Sequence, residues 1–253
     1  MSLINQVKLS MAKALQFSTD SNIFEIPECT VLMTSDKISI KVASITQIIK
    51  TIVDFTERNN ANFNIRFLIR DEHKNKKSIM VADLISGSGY EVRNMFGARV
   101  MDIKIPTSNE ASIGRIVHPL SATIYNVLYN GGETNAQRFK IQQLASDQSI
   151  INLEKSSELL SIYTILKRIG LLDTDCAYRF RNPDGTEVAR VYPKLVLNGR
   201  TLIIRYERAS LRAEMRAVIL GASLMLILLE VYPDIHDVLA ASNVIAESEE
   251  EDA

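Results

Sequence analysis

The chain has 253 residues, 46% of them hydrophobic and 23% charged, with a formal net charge of −1. That is ordinary globular composition, which excludes a collagen-like, wholly disordered or disulfide-stapled chain and leaves ample length for a buried core. Two cysteines, Cys29 and Cys176, share no metal-ligand spacing; they read as small buried apolar residues in a reducing compartment, the cytoplasm or a virion.

The first fifteen residues, MSLINQVKLSMAKAL, lack the long apolar run of a secretory signal. Ile4, Val7, Met11, Ala14 and Leu15 approach helical spacing, so residues 3–17 read as an amphipathic helix. Short strands are expected at Cys29–Met33 and Lys37–Val42. Ser44 then caps a helix through Arg58, with Ile45, Ile48, Ile49, Ile52, Val53 and Phe55 on its apolar face. Three strands follow at Phe63–Arg70, Ser78–Ile85 and Ala98–Ile105, the first two joined by the charged loop from Asp71 to Lys77. Ser86-Gly87-Ser88-Gly89 lacks the spacing of a phosphate loop and precedes no obvious helix, so it reads as a turn.

From Thr107 the texture predicts helices: Ala111–Tyr129, broken at Pro119, then Thr134–Ala145 and Ser157–Ile169. Strands return at Cys176–Arg181 and Thr186–Tyr192 around the turn Asn182-Pro183-Asp184-Gly185. Asn198-Gly199, between Lys194–Leu197 and Thr201–Tyr206, is the strongest hairpin signal in the chain. A long helix then starts near Ser210. Its segment Ala217–Leu229 carries no charge and is apolar all round, which means burial on every side; thirteen residues are too few for a span of about 20. Pro233 breaks it. Ile235–Asn243 reads as a short last helix, and Glu247, Glu249, Glu250, Glu251 and Asp252 as a disordered acidic tail.

The fold class expected is therefore α+β. Residues 1–106 form an N-terminal α/β-mixed part with a short antiparallel sheet. Residues 107–246 supply a helical middle and a second small antiparallel sheet, turning at Asn198-Gly199 and packed on the long buried helix. Residues 247–253 form the tail.

Function is carried by charge placement. Residues 176–216 hold 9 Lys+Arg against 4 Asp+Glu, whereas residues 217–253 hold none against 8. Arg208, Arg212 and Arg216 are spaced four apart, within an arc of roughly 80° on a helix, and no acid stands four residues from any of them. Arg179 and Arg181 alternate with Tyr178 and Phe180. With Arg200 and Arg205 these side chains outline one basic surface, and Lys74, Lys76 and Lys77 a second cluster on a loop tip. Arginine forks suit phosphate, and neighbouring rings suit unpaired bases. These features predict a non-enzymatic nucleic-acid-binding protein, nucleocapsid- or coat-like or a single-strand binder. It would self-associate along its ligand through residues 3–17 and 235–243, and would need no cofactor or metal. Two other readings remain open. One is a homo-oligomeric scaffold whose stripe meets an acidic partner. The other is an enzyme on a phosphorylated substrate, which requires a pocket bringing His118 or Asp173 against the arginines.

Overall fold

The computed structural model describes residues 27–58, 62–74, 77–106, 112–118, 124–130, 137–146, 148–168, 172, 174–195, 200–207 and 211–251. Twelve strands form a closed barrel, every neighbouring pair antiparallel. They are β1 (Lys37–Val42), β2 (Asn64–Asp71), β3 (Ser78–Ile85), β4 (Gly89–Asn94), β5 (Arg99–Lys104), β6 (Ser112–Val117), β7 (Ile124–Tyr129), β8 (Gln137–Gln143), β9 (Ser149–Lys155), β10 (Tyr178–Arg181), β11 (Glu187–Pro193) and β12 (Thr201–Tyr206). Each pairs with the next in sequence, and β1 pairs with β12 to close the ring. Among the described residues there are also four helices: α1 (Ile45–Arg58), α2 (Ser157–Arg168), α3 (Ala213–Leu226) and α4 (Pro233–Glu251). A 3-10 segment, Pro27–Thr34, precedes the barrel, and a π-helical turn, Ile227–Val231, joins α3 to α4.

This overturns the α+β expectation with its helical middle. The segments read as helices at Ala111–Tyr129 and Thr134–Ala145 contain strands β6, β7 and β8. Their period is two: Tyr125 and Val127 are buried on β7, between the half-exposed Ile124, Asn126 and Leu128. Pro119, which suggested a helix boundary, lies outside the described residues. Two strands, β4 and β9, went unread, and Cys29–Met33 is 3-10 helix in place of a strand. β5 and β6, on either side of position 106, pair directly. The Asn198-Gly199 turn lies outside the described residues; β12 beyond it pairs with β11. Gly87 and Ser88 belong to a tight β3–β4 turn that ends at Gly89. There φ is +88°, and a Cβ would meet the Ile103 carbonyl oxygen at 2.1 Å, so only glycine fits.

A ring of about eight strands is just wide enough for side chains to fill. Twelve leave room for a helix about 10–12 Å across, and α3 occupies it. From Arg216 to Leu226 every residue of α3 is buried. Its neighbours lie on opposite walls. Tyr206 of β12 donates a hydrogen bond to the Arg216 carbonyl at 3.1 Å, whereas a Cβ at Gly221 would stand 2.8 Å from Ile116 of β6. β12 and β6 are diametrically opposed in the ring. Tyr90 of β4 donates to the Leu224 carbonyl at 3.3 Å, and Tyr125 of β7 to the Glu214 carboxylate at 2.6 Å. The all-round apolar run is thus the barrel's filling, and its burial satisfies the inward faces of strands such as β2, where Ile65, Phe67 and Ile69 point in.

Arg216, only 2% exposed, fastens α3 at the barrel mouth. Its guanidinium donates to the carbonyls of Leu32 at 2.8 Å, Ser35 at 2.6 Å and Leu211 at 3.2 Å, and lies 4.7 Å from the Tyr206 ring. Burial pulls its pKa below the ordinary guanidinium value, countered in part by Tyr206 and Asp36. At the other end Glu230 accepts from Tyr178 at 2.5 Å and from Lys155 at 3.2 Å. The chain then bends by 105°, and α4 leaves the barrel to pack beside α1. α4 runs through Glu251, so the tail expected to be disordered is helical to that point.

Two outcomes follow from the mouth. Arg216→Ala leaves buried carbonyls without donors and should lower unfolding stability by about 3 kcal/mol, read by urea titration. Asp71 is buried as well, and Ser35 links it to the mouth: the Ser35 hydroxyl donates to Asp71 and the Ser35 carbonyl accepts from Arg216. Burial alone raises this carboxyl's pKa, but hydrogen bonds from Ser35, from the His73 N–H at 2.9 Å and from the Lys74 N–H at 3.1 Å, with the Lys74 ammonium, outweigh it and hold Asp71 below the ordinary carboxylate range. A depressed folded pKa stabilises above the unfolded value of about 3.9, and that contribution fades as pH falls through the lower folded value. Asp71→Asn should therefore be less stable than wild type at neutral pH, the gap closing below about pH 4 in acid titrations.

Candidate nucleic-acid interface

The barrel's outer wall carries paired charges. Arg66 of β2 faces Asp83 of β3 at 2.7 Å, Arg99 meets Asp102 at 2.6 Å, and Arg181 meets Glu154 at 2.9 Å. Among the described residues no single helix is long and apolar enough to cross a membrane.

Across this wall the strand register sets cations side by side. Arg179 of β10 is directly opposite Arg190 of β11, Arg190 opposite Arg205 of β12, and Arg205 opposite Lys37 of β1. Strands lie about 4.8 Å apart, so four positive side chains span about 14 Å of the wall. Like charges directly opposite destabilise a sheet. Three carboxylates moderate the row. Glu187 lies 3.9 Å from Arg179 and 4.0 Å from Arg181, and also pairs with Arg190. Glu207 lies 3.6 Å from Arg190 and 3.5 Å from Arg205. Glu154 holds Arg181 from β9. Set against Lys37, Arg179, Arg181, Arg190 and Arg205, these acids leave the patch positive. Tyr192 stands next to it on β11; burial raises its phenol pKa, and Arg205 and Arg190 act in the opposite direction.

The row keeps part of the expected basic surface and divides the rest. Arg179, Arg181 and Arg205 belong to it. Arg216 does not: it is inside the barrel, bonded to carbonyls. Arg212 is exposed at the cap of α3, and Arg208 lies outside the described residues, so the stripe of three is not a helix face. Arg200 sits at the far end of β12, its guanidinium 5.5 Å from the Tyr232 ring. Lys74 and Lys77 are on the β2–β3 loop, where Lys74 reaches the Thr34 carbonyl at 3.3 Å; Lys76 lies outside the described residues.

Arg190 and Lys37 were not read from the sequence as site residues. Each is one charge in a strand, and only the pairing register reveals what stands opposite. Of the groups considered for catalysis, His118 ends β6, well round the ring from β10 to β12, and Asp173 lies outside the described residues. Asp175 pairs with Lys167 at 3.3 Å. Cys176 is buried, and burial together with Glu230 pushes its thiol pKa up, away from a reactive thiolate. Among the described residues no group of three His, Cys, Asp or Glu could hold a metal ion. Comparison with protein-family models, curated proteins and solved structures found no match.

Proposed function

We propose that the protein is a non-enzymatic nucleic-acid-binding module whose outer wall takes the phosphate backbone along Lys37, Arg205, Arg190 and Arg179. The observation that supports this reading is the row itself. Three successive facing pairs of cations sit at a register that costs the sheet stability, and a polyanion would relieve that repulsion. The row is about 14 Å long, and each of its four cations can take one phosphate of a nucleic-acid strand. Arginine forks donate to two phosphate oxygens at once.

Binding along a polymer sets copies side by side, and self-association belongs to the same proposal. Residues 235–243 are not available for it, because Ile235, Val238 and Leu239 are buried within the chain. The apolar surface that supports it is α1, where Ile45, Ile49 and Val53 follow one another at four-residue spacing and are 47%, 56% and 41% exposed.

Fluorescence anisotropy with a labelled oligonucleotide tests the row. Four phosphate contacts on a single strand give a slope of log affinity against log salt of about −3. The double variant Arg190→Gln/Arg205→Gln should halve that slope and weaken binding at least about tenfold at low salt. Equal binding by the variant, or none by the wild type, contradicts the reading. Light scattering tests the helix face. In the presence of ligand the wild type should scatter as a multiple of 28.4 kDa, and Ile49→Glu as smaller species; undiminished assembly removes α1 from the account.

A further inference from the structure

Phe96 is 96% exposed and its neighbour Met95 53% exposed, at the tip of the β4–β5 hairpin. The tip is built to hold them outward. The Asn94 side chain accepts from the N–H groups of Phe96 and Ala98, each at 3.0 Å, its carbonyl accepts from Gly97 at 3.0 Å, and its N–H donates to Ala98 at 2.9 Å. Gly97 takes φ +83° to complete the turn. One of a phenylalanine's costs on binding, loop ordering, is thereby reduced in advance.

At the base of this tip Arg93 and Arg99 stand directly opposite each other, a fourth facing pair of cations. Arg93 contacts Glu91 at 2.7 Å, and Arg99 contacts Asp102 at 2.6 Å. The strand directions put this hairpin at the same end of the barrel as Lys37, Arg205 and the β2–β3 loop with Lys74 and Lys77. From Lys37 to β4 is three strand spacings, about 14 Å. One rim thus carries the cation row at one side, two loop lysines in the middle and, at the other, an exposed ring on the tip of a hairpin whose base carries two arginines.

We infer that Phe96 is a stacking platform for an unpaired base of the nucleic acid whose phosphates lie on the row, so that the ligand is single-stranded. This rests on the nucleic-acid reading above. An exposed flat ring takes any base by its π-face, whereas a duplex keeps its bases stacked on one another.

The chain contains no tryptophan, so Phe96→Trp places a single reporter at the tip, where almost nothing packs against it. Titration with oligothymidylate should quench its emission saturably, and a duplex of the same length should not. Phe96→Ala should weaken single-strand binding about tenfold and leave duplex binding unchanged. Unchanged emission and unchanged affinity of Phe96→Ala, while Arg190→Gln/Arg205→Gln still lowers binding, overturn the stacking role and leave the row intact. A blue shift with phosphatidylserine vesicles and no response to the oligonucleotide assigns the tip to a lipid surface and overturns the inference. Absence of binding to either nucleic acid overturns both readings.

Discussion

Everything in this molecule depends on one helix filling a ring of strands. A twelve-stranded barrel left to its own side chains has a wet interior, and the inward Ile, Val, Phe and Met residues would gain little from closing it. α3 removes that water. It is apolar on all sides because walls surround it on all sides, and three of its polar groups are taken up by the wall: Tyr90, Tyr125 and Tyr206 reach in from β4, β7 and β12. The barrel and its helix therefore stabilise each other. The ring cannot be dry without α3, and α3 has no other place to hide Val218, Ile219, Leu220 and Leu224.

The buried Arg216 fits this scheme as a fastener. A guanidinium inside a protein costs heavily unless every donor is used, and here the carbonyls of Leu32, Ser35 and Leu211 and the Tyr206 ring receive it. It ties the entering helix to the 3-10 segment across the mouth. With the interior filled, the proposed recognition falls to the outer wall and the rim. There the register places arginine opposite arginine and then lysine, with shared carboxylates between them, and the loops of the same rim present Lys74, Lys77 and Phe96.

Much of the local structure was legible. The edges of β1, β3, α1 and α2 follow from apolar period and punctuation, and the burial of Ala217–Leu229 from its lack of any polar face. The architecture was not, for a physical reason. Strands in a barrel are specified by partners far away in sequence, and β6 to β8 carry Ile, Val, Tyr, Asn and Gln in patterns that a helix also tolerates. Nothing near Arg216 in sequence distinguishes it from Arg212, yet one is buried and the other exposed; the difference is how far each has travelled into the ring. Arg179, Arg181 and Arg205 could be singled out as charged residues, but that Arg190 and Lys37 extend them into a row is a property of register alone. Phe96 gave no signal, since an exposed ring and a core ring look alike in a sequence.

The most direct test of the account is the ultraviolet spectrum of the full chain purified from cells at low salt, before and after washing in high salt. With eight tyrosines and no tryptophan, the protein absorbs weakly, so bound nucleic acid dominates the spectrum. The account predicts a nucleic-acid spectrum at low salt that reverts to that of protein in high salt, and a smaller nucleic-acid contribution from the Arg190→Gln/Arg205→Gln variant. A clean protein spectrum from the wild type at every salt concentration would contradict it.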